Sequence, residues 1–124
     1  LVALSCGKKE DDPNLTKTQK LTNQTWKLTK VGFAGISAPP DACTGDDVYT
    51  FSAGGAYSHD EGPSKCDPAD PQSSTGTWEF TASETKIKVT SGFITLEKEI
   101  LELTSSTLRV KYNVIFDIEE TYSH

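Results

Sequence analysis

The stretch GTWEFTASETKIKVT, residues 76–90, decides how this chain is read. Its first half sets Trp78 and Phe80 on one side of an extended backbone, and its second half does the same with Ile87 and Val89, leaving Lys86 and Lys88 on the other. A period of two is the mark of a strand with one apolar and one wet face. The segment between the halves, Thr81 to Thr85, is short enough for a hairpin, so the two strands should pair antiparallel.

The same pattern repeats outward in both directions. β-Branched and aromatic residues cluster in eight segments: Trp26 to Phe33, Asp47 to Ser52, Ala56 to Asp60, Gly76 to Thr81, Lys86 to Thr90, Phe93 to Thr104, Thr107 to Phe116 and Ile118 to Ser123. All but two of the gaps are hairpin-sized, including Ala53-Gly54-Gly55, Ser91-Gly92, Ser105-Ser106 and Asp117. Alternation assigns Leu101 and Leu103, then Leu108, Val110, Tyr112, Val114 and Phe116, to the dry face, and Glu102, Arg109 and Lys111 to the wet one. An antiparallel meander with one apolar face is best satisfied by closing on itself, which also removes its edges. The predicted fold is therefore all-β, an eight-stranded antiparallel up-and-down barrel, with a β-sandwich as the competing way to bury the same face. Before the first strand, Thr16-Lys17-Thr18-Gln19 fits a capping box that starts a short helix running to about Asn23.

Composition bounds the function. The chain has 124 residues, one domain's worth, of which 35% are hydrophobic and 24% charged. Its net charge is -6 and Arg109 is its one arginine, so no basic patch awaits nucleic acid. No apolar run reaches the roughly 20 residues of a membrane-spanning helix. No glycine-rich phosphate loop occurs, because Ala53-Gly54-Gly55 is hairpin-sized and precedes a strand. A nucleophile would need a base, and the two histidines are His59, at a strand end, and the terminal His124. Glu119 and Glu120 fall on opposite faces of one strand and cannot share a substrate. The expectation is a protein without catalytic residues, cofactor or metal, acting as a monomer.

The N-terminus carries an address. Leu1 to Ser5 reads as the end of a signal-peptide apolar region. Ala3-Leu4-Ser5-Cys6 resembles a bacterial lipobox, which implies lipid on the Cys6 sulfur, a membrane partner through that anchor, and a cell-envelope, outer-membrane location. Lys9-Glu10-Asp11 resembles the signal that carries lipoproteins of the Bacteroidetes to the outer face of that membrane. The chain thus divides into residues 1–6, a signal-peptide remnant and lipobox; residues 7–14, a tether; and residues 15–124, the domain. With Cys6 lipidated, Cys43 and Cys66 are left to pair in an oxidising compartment. In a meander the two long loops, residues 34–46 and 61–75, share one end, and they hold those two cysteines. The loops also hold most of the acidic residues Asp41, Asp46, Asp47, Asp60, Glu61, Asp67 and Asp70, which read as a solvated rim.

The order of motifs resembles the lipocalin-like domains of Bacteroidetes lipoproteins. The residues that carry the resemblance are Leu21-Thr22-Asn23-Gln24-Thr25-Trp26-Lys27-Leu28, Asp47-Val48-Tyr49-Thr50-Phe51 with Gly55 and Tyr57, Gly76-Thr77-Trp78-Glu79-Phe80, and Glu102-Leu103-Thr104 with Leu108. It implies a helix and Trp26 closing one end, and a ligand site at the other. The candidate lining is Trp26, Tyr49, Phe51, Trp78, Phe80, Tyr112 and Phe116, aromatic enough for a small apolar or amphipathic ligand. The same aromatics could instead fill the barrel, leaving an envelope accessory protein that presents its rim loops to another protein or a glycan. An interior cavity above about 300 Å³ would favour the first reading.

Overall fold

A computed structural model describes residues 14–33 and 35–123; Cys6 and the lipobox lie outside them. The chain begins with helix α1 (Lys17–Thr22). Strands β1 (Lys27–Phe33) and β2 (Ile36–Ala38) follow, then a single helical turn α2 (Ala42–Gly45). Seven strands complete the domain: β3 (Val48–Phe51), β4 (Ala56–Asp60), β5 (Ser73–Thr81), β6 (Lys86–Ser91), β7 (Ile94–Leu103), β8 (Leu108–Asn113) and β9 (Asp117–Ser123). All pair antiparallel in one sheet of order β2-β1-β9-β8-β7-β6-β5-β4-β3.

Nine strands replace the eight expected, and the sheet is not closed. Its two ends approach at one bridge, where Trp26 and Tyr49 exchange backbone hydrogen bonds of 2.9 Å each. Continuing that antiparallel register would set residues 28–33 against residues 47–42. Residues 42–45 are coiled into α2, so the far half of β1 pairs with β2 instead. Pro39 and Pro40 end β2 and offer no amide to extend it. The outcome is an open barrel with a seam between β2 and α2, its two edge strands three and four residues long, short enough to be poor templates for aggregation.

One end is sealed. The capping box forms, with Gln19 N–H donating to Thr16 Oγ1 (3.1 Å) and Thr16 N–H to Gln19 Oε1 (2.9 Å). The helix lays Leu21 over the end of the sheet, where neither Leu21 nor Trp26 has any solvent exposure. Trp26 Nε1–H donates to Leu21 O at 2.9 Å, so the large ring is buried with its polar atom satisfied. Leu28, Phe51, Trp78, Ile87, Leu108 and Val110 pack above them.

Two expected faces change. A bulge between Ile100 and Glu102 shifts the alternation in β7, so Ile100 joins Leu103 in the core in place of Leu101. Strand β8 stops at Asn113, which pairs with Asp117, and Val114, Ile115 and Phe116 form the turn. Val114 and Phe116 therefore leave the dry face, at 60% and 54% exposure.

Candidate ligand site at the open end

The meander sets the β1–β2, β4–β5, β6–β7 and β8–β9 connections at the end opposite α1. There Cys43 of α2 and Cys66 of the β4–β5 connection are joined by a disulfide, their Cα atoms 5.0 Å apart. Gly62, at a φ of +71°, helps hold the same two segments together: a side chain there would run into the Asp46 carbonyl oxygen. Ser64 N–H also donates to Asp46 Oδ2 at 2.8 Å.

Between this rim and the apolar floor lies a polar layer that faces inward. Glu120 accepts hydrogen bonds from Tyr122 Oη (2.8 Å) and Tyr112 Oη (3.0 Å), and pairs with Lys98 Nζ at 3.0 Å. The Lys98 ammonium also sits 4.8 Å from the Tyr112 ring centre, a cation–π contact. Burial, with the Glu120 carboxylate adding to it, pushes the Tyr57 hydroxyl up to about 12 and those of Tyr112 and Tyr122 well above the usual tyrosine range. Tyr49 is raised likewise, by burial first and by Asp47 next. Reading β7 and β9 with a period of two would have placed Lys98 in line with Leu96 and Ile100, and Glu120 in line with Ile118 and Tyr122. Charge is what disguised them.

Nearer the opening, His59 stacks flat on Tyr49 at 4.7 Å, and its Nε2 lies 2.8 Å from Asp47 Oδ2 and 3.7 Å from Glu61 Oε2. The cross-strand pair Tyr49–His59 explains the grouping: Asp47 precedes the first by two residues and Glu61 follows the second by two, so all three side chains fall on the inner face. Asp47 is therefore not part of a solvated rim. It is 4% exposed, and burial raises its carboxyl pKa despite the compensating His59.

The space available differs sharply with depth. Among Tyr49, Phe51, Tyr57, Ile87, Val110 and Lys98 the interior keeps a void of about 20 Å³, little more than one water. Above it, Tyr57, His59, Ser74, Ser91, Leu96 and Lys98 border a cleft of about 140 Å³. At the open seam, Val31, Phe33, Ile36, Ala38, Pro39 and Pro40 line a mainly apolar cleft of about 540 Å³. A further hollow, of about 480 Å³, lies on the outer face of β1 and β9 and is edged by charge, including Lys30, Arg109, Lys111 and Glu119.

The candidate lining residues divide accordingly. Trp26, Phe51 and Trp78 are buried in the floor, with Phe80 packed against them. Tyr49 and Tyr112 reach the polar layer, and Phe116 leaves the interior for the rim, where its ring meets Phe33 edge-on at 5.4 Å. Arg109 points outward and is paired there, its Nη1 at 3.1 Å from Glu119 and its Nε at 3.5 Å from Glu102. Sequence reasoning missed the rim's apolar character: Phe93, Ile94, Val114, Ile115 and Ile36 are all exposed at this one end.

The sequence model of the lipocalin-like domain family matches residues 22–110. No curated protein matches the chain.

Proposed function

Because the chain belongs to the lipocalin-like domain family, we propose that it is a lipid-anchored binding protein of a bacterial outer membrane, and that its open end, not its interior, takes the apolar part of a small amphipathic molecule. The observation that carries this reading is the contrast in volume. A void of about 20 Å³ admits no ligand, whereas the seam cleft of about 540 Å³ falls in the range of small-molecule sites and is lined by Val31, Phe33, Ile36 and two prolines. The cleft of about 140 Å³ at the same end of the barrel offers polar groups: Lys98, His59, Ser74 and Ser91. The lipobox-like Ala3-Leu4-Ser5-Cys6 and the hydrophilic run after it support the anchor and the location.

A second reading, a non-catalytic accessory protein docking its rim on a protein or glycan, is favoured by Phe93 and Ile115, which stand in solvent outside the cleft at 108% and 87% exposure. A thermal-shift screen with fatty acids, retinoids, haem and glycans separates the two. Stabilisation by single-chain amphiphiles that is lost in Phe33→Asp supports uptake at the seam; stabilisation by glycans alone, or by nothing, overturns it. Membrane partitioning tests the anchor independently. Restored to its full precursor, Cys6→Ser should leave the membrane fraction, and unchanged partitioning would refute lipidation.

A further inference from the structure

The Asp47–His59–Glu61 group has the composition of a metal centre, which nothing in the spacing of the cysteines or histidines announced. One imidazole nitrogen and two carboxylate oxygens, each from a different residue, lie within 4.8 Å of one another. A zinc ion with bonds of about 2.0–2.2 Å holds its ligand atoms about 3.4 Å apart. The His59 distances of 2.8 Å to Asp47 and 3.7 Å to Glu61 straddle that value, so small side-chain rotations would seat an ion.

The second observation is independent of that spacing. Asp47 is 4% exposed, and its other oxygen, Oδ1, is enclosed without a hydrogen-bond partner among the described residues; the adjacent Asp46 Oδ1 is in the same condition. Buried carboxylate oxygens are almost always satisfied, and one left orphaned beside further negative charge is costly. His59 is the base within ion-pair range of both Asp47 and Glu61, and it offers them at most one positive charge. A divalent cation bound to Asp47, His59 and Glu61 would answer that charge deficit.

We propose that Asp47, His59 and Glu61 form a mononuclear site for a borderline divalent transition-metal ion, zinc foremost, at the mouth of the open barrel. Imidazole selects against calcium and magnesium, which prefer all-oxygen shells, and two carboxylates select against copper(I). Three protein ligands leave a coordination position, and His59 also borders the cleft of about 140 Å³, so that position faces solvent and any molecule held there. On binding, the metal displaces the proton between His59 Nε2 and Asp47 Oδ2, which goes to solvent from an imidazolium or to Nδ1 of a neutral ring.

Zinc chloride added to the tag-free chain, followed by calorimetry and by imidazole nitrogen–proton correlation spectra, tests the site. One equivalent should bind and move the ring resonances of His59. Glu61→Gln, whose side chain makes the longest of the contacts, should fold as the parent does and bind at least about tenfold more weakly, since even residues behind the ligands cost that much. His59→Gln should abolish the saturable phase, and His124→Asn should leave it intact. Zinc that shifts only His124, or that binds Glu61→Gln as tightly as the parent, overturns the proposal, as does calcium binding more tightly than zinc.

Discussion

At the floor of the open barrel Trp26 and Leu21 are wholly enclosed and the Trp26 indole N–H is spent on a helix carbonyl 2.9 Å away. At the mouth, Phe93 and Ile115 stand in solvent while Asp47 and Glu120, both charged types, are turned inward. Apolar residues out and polar residues in is the reverse of what a domain needs for its own stability. The floor therefore reports what holds the fold together, and the mouth what the fold carries. Each of the following substitutions or titrations presses on that division.

The largest effect is expected at the floor. Trp26→Ala removes a fully buried ring that also anchors the bridge to Tyr49, and should cost about 3–5 kcal/mol in urea denaturation. A loss under about 1 kcal/mol would mean that the helix and the tryptophan do not seal this end.

Next in size is the disulfide. Its 23-residue separation predicts a loss of about 3 kcal/mol in the Cys43→Ala, Cys66→Ala double variant. The difference should be regional: faster amide exchange around residues 39–47 and 61–72, with the amides of Ile87 and Val110 still protected. Uniform loss of protection would merge the two regions into one cooperative unit.

A smaller, pH-gated effect comes from the polar layer. All four tyrosines of the chain, Tyr49, Tyr57, Tyr112 and Tyr122, have raised pKa values, burial being the chief cause in each. A phenol whose pKa is higher folded than unfolded stabilises fully below the unfolded value of about 10 and loses that contribution as pH climbs through the folded value. Stability should thus decline from about pH 10 to Tyr57's value of about 12. Phenolate absorbance should rise together with loss of the β-sheet signal, and Glu120→Gln should bring both to lower pH. A smooth titration near pH 10 with the sheet intact would show that these rings are not inside.

How much of this was readable beforehand follows the same division. The strands from Gly76 to Ser123 were legible because hairpin gaps and period-two alternation reinforce each other, and the Thr16–Gln19 capping box is a local device that needs no tertiary help. The mouth was not. Strand β2 and the turn α2 lie in a proline-bearing segment whose conformation is set by the bulk of the sheet edge and the disulfide, and a bulge at Leu101 cannot be counted from alternation alone. Lys98, Glu120 and Asp47 were hidden because a charged residue on a dry face is credited to solvent unless the register that gives it partners is known. Val114 to Phe116 misled in the other direction: their apolar character extended strand β8 past the turn they form.

The smallest stability effect, and the sharpest test of the division, is at Phe116. The ring is half exposed in the β8–β9 turn, and an aromatic neighbour, Phe33, sits at the seam cleft. Exposed positions away from caps and buried networks shift stability by within about 0.5 kcal/mol, so Phe116→Ser should unfold at nearly the parent's urea concentration. Were Phe116 a continuation of the dry face of β8, as alternation alone would have it, the same change would open a core cavity and cost about 3 kcal/mol or more. Stability thus decides where the residue lies. Binding decides what it is for: an amphiphile seated against Phe33 loses one wall of its site in Phe116→Ser, and its dissociation constant should rise while the unfolding curve stays put. Equal loss of both would return Phe116 to the core, and loss of neither would move the ligand away from this side of the rim.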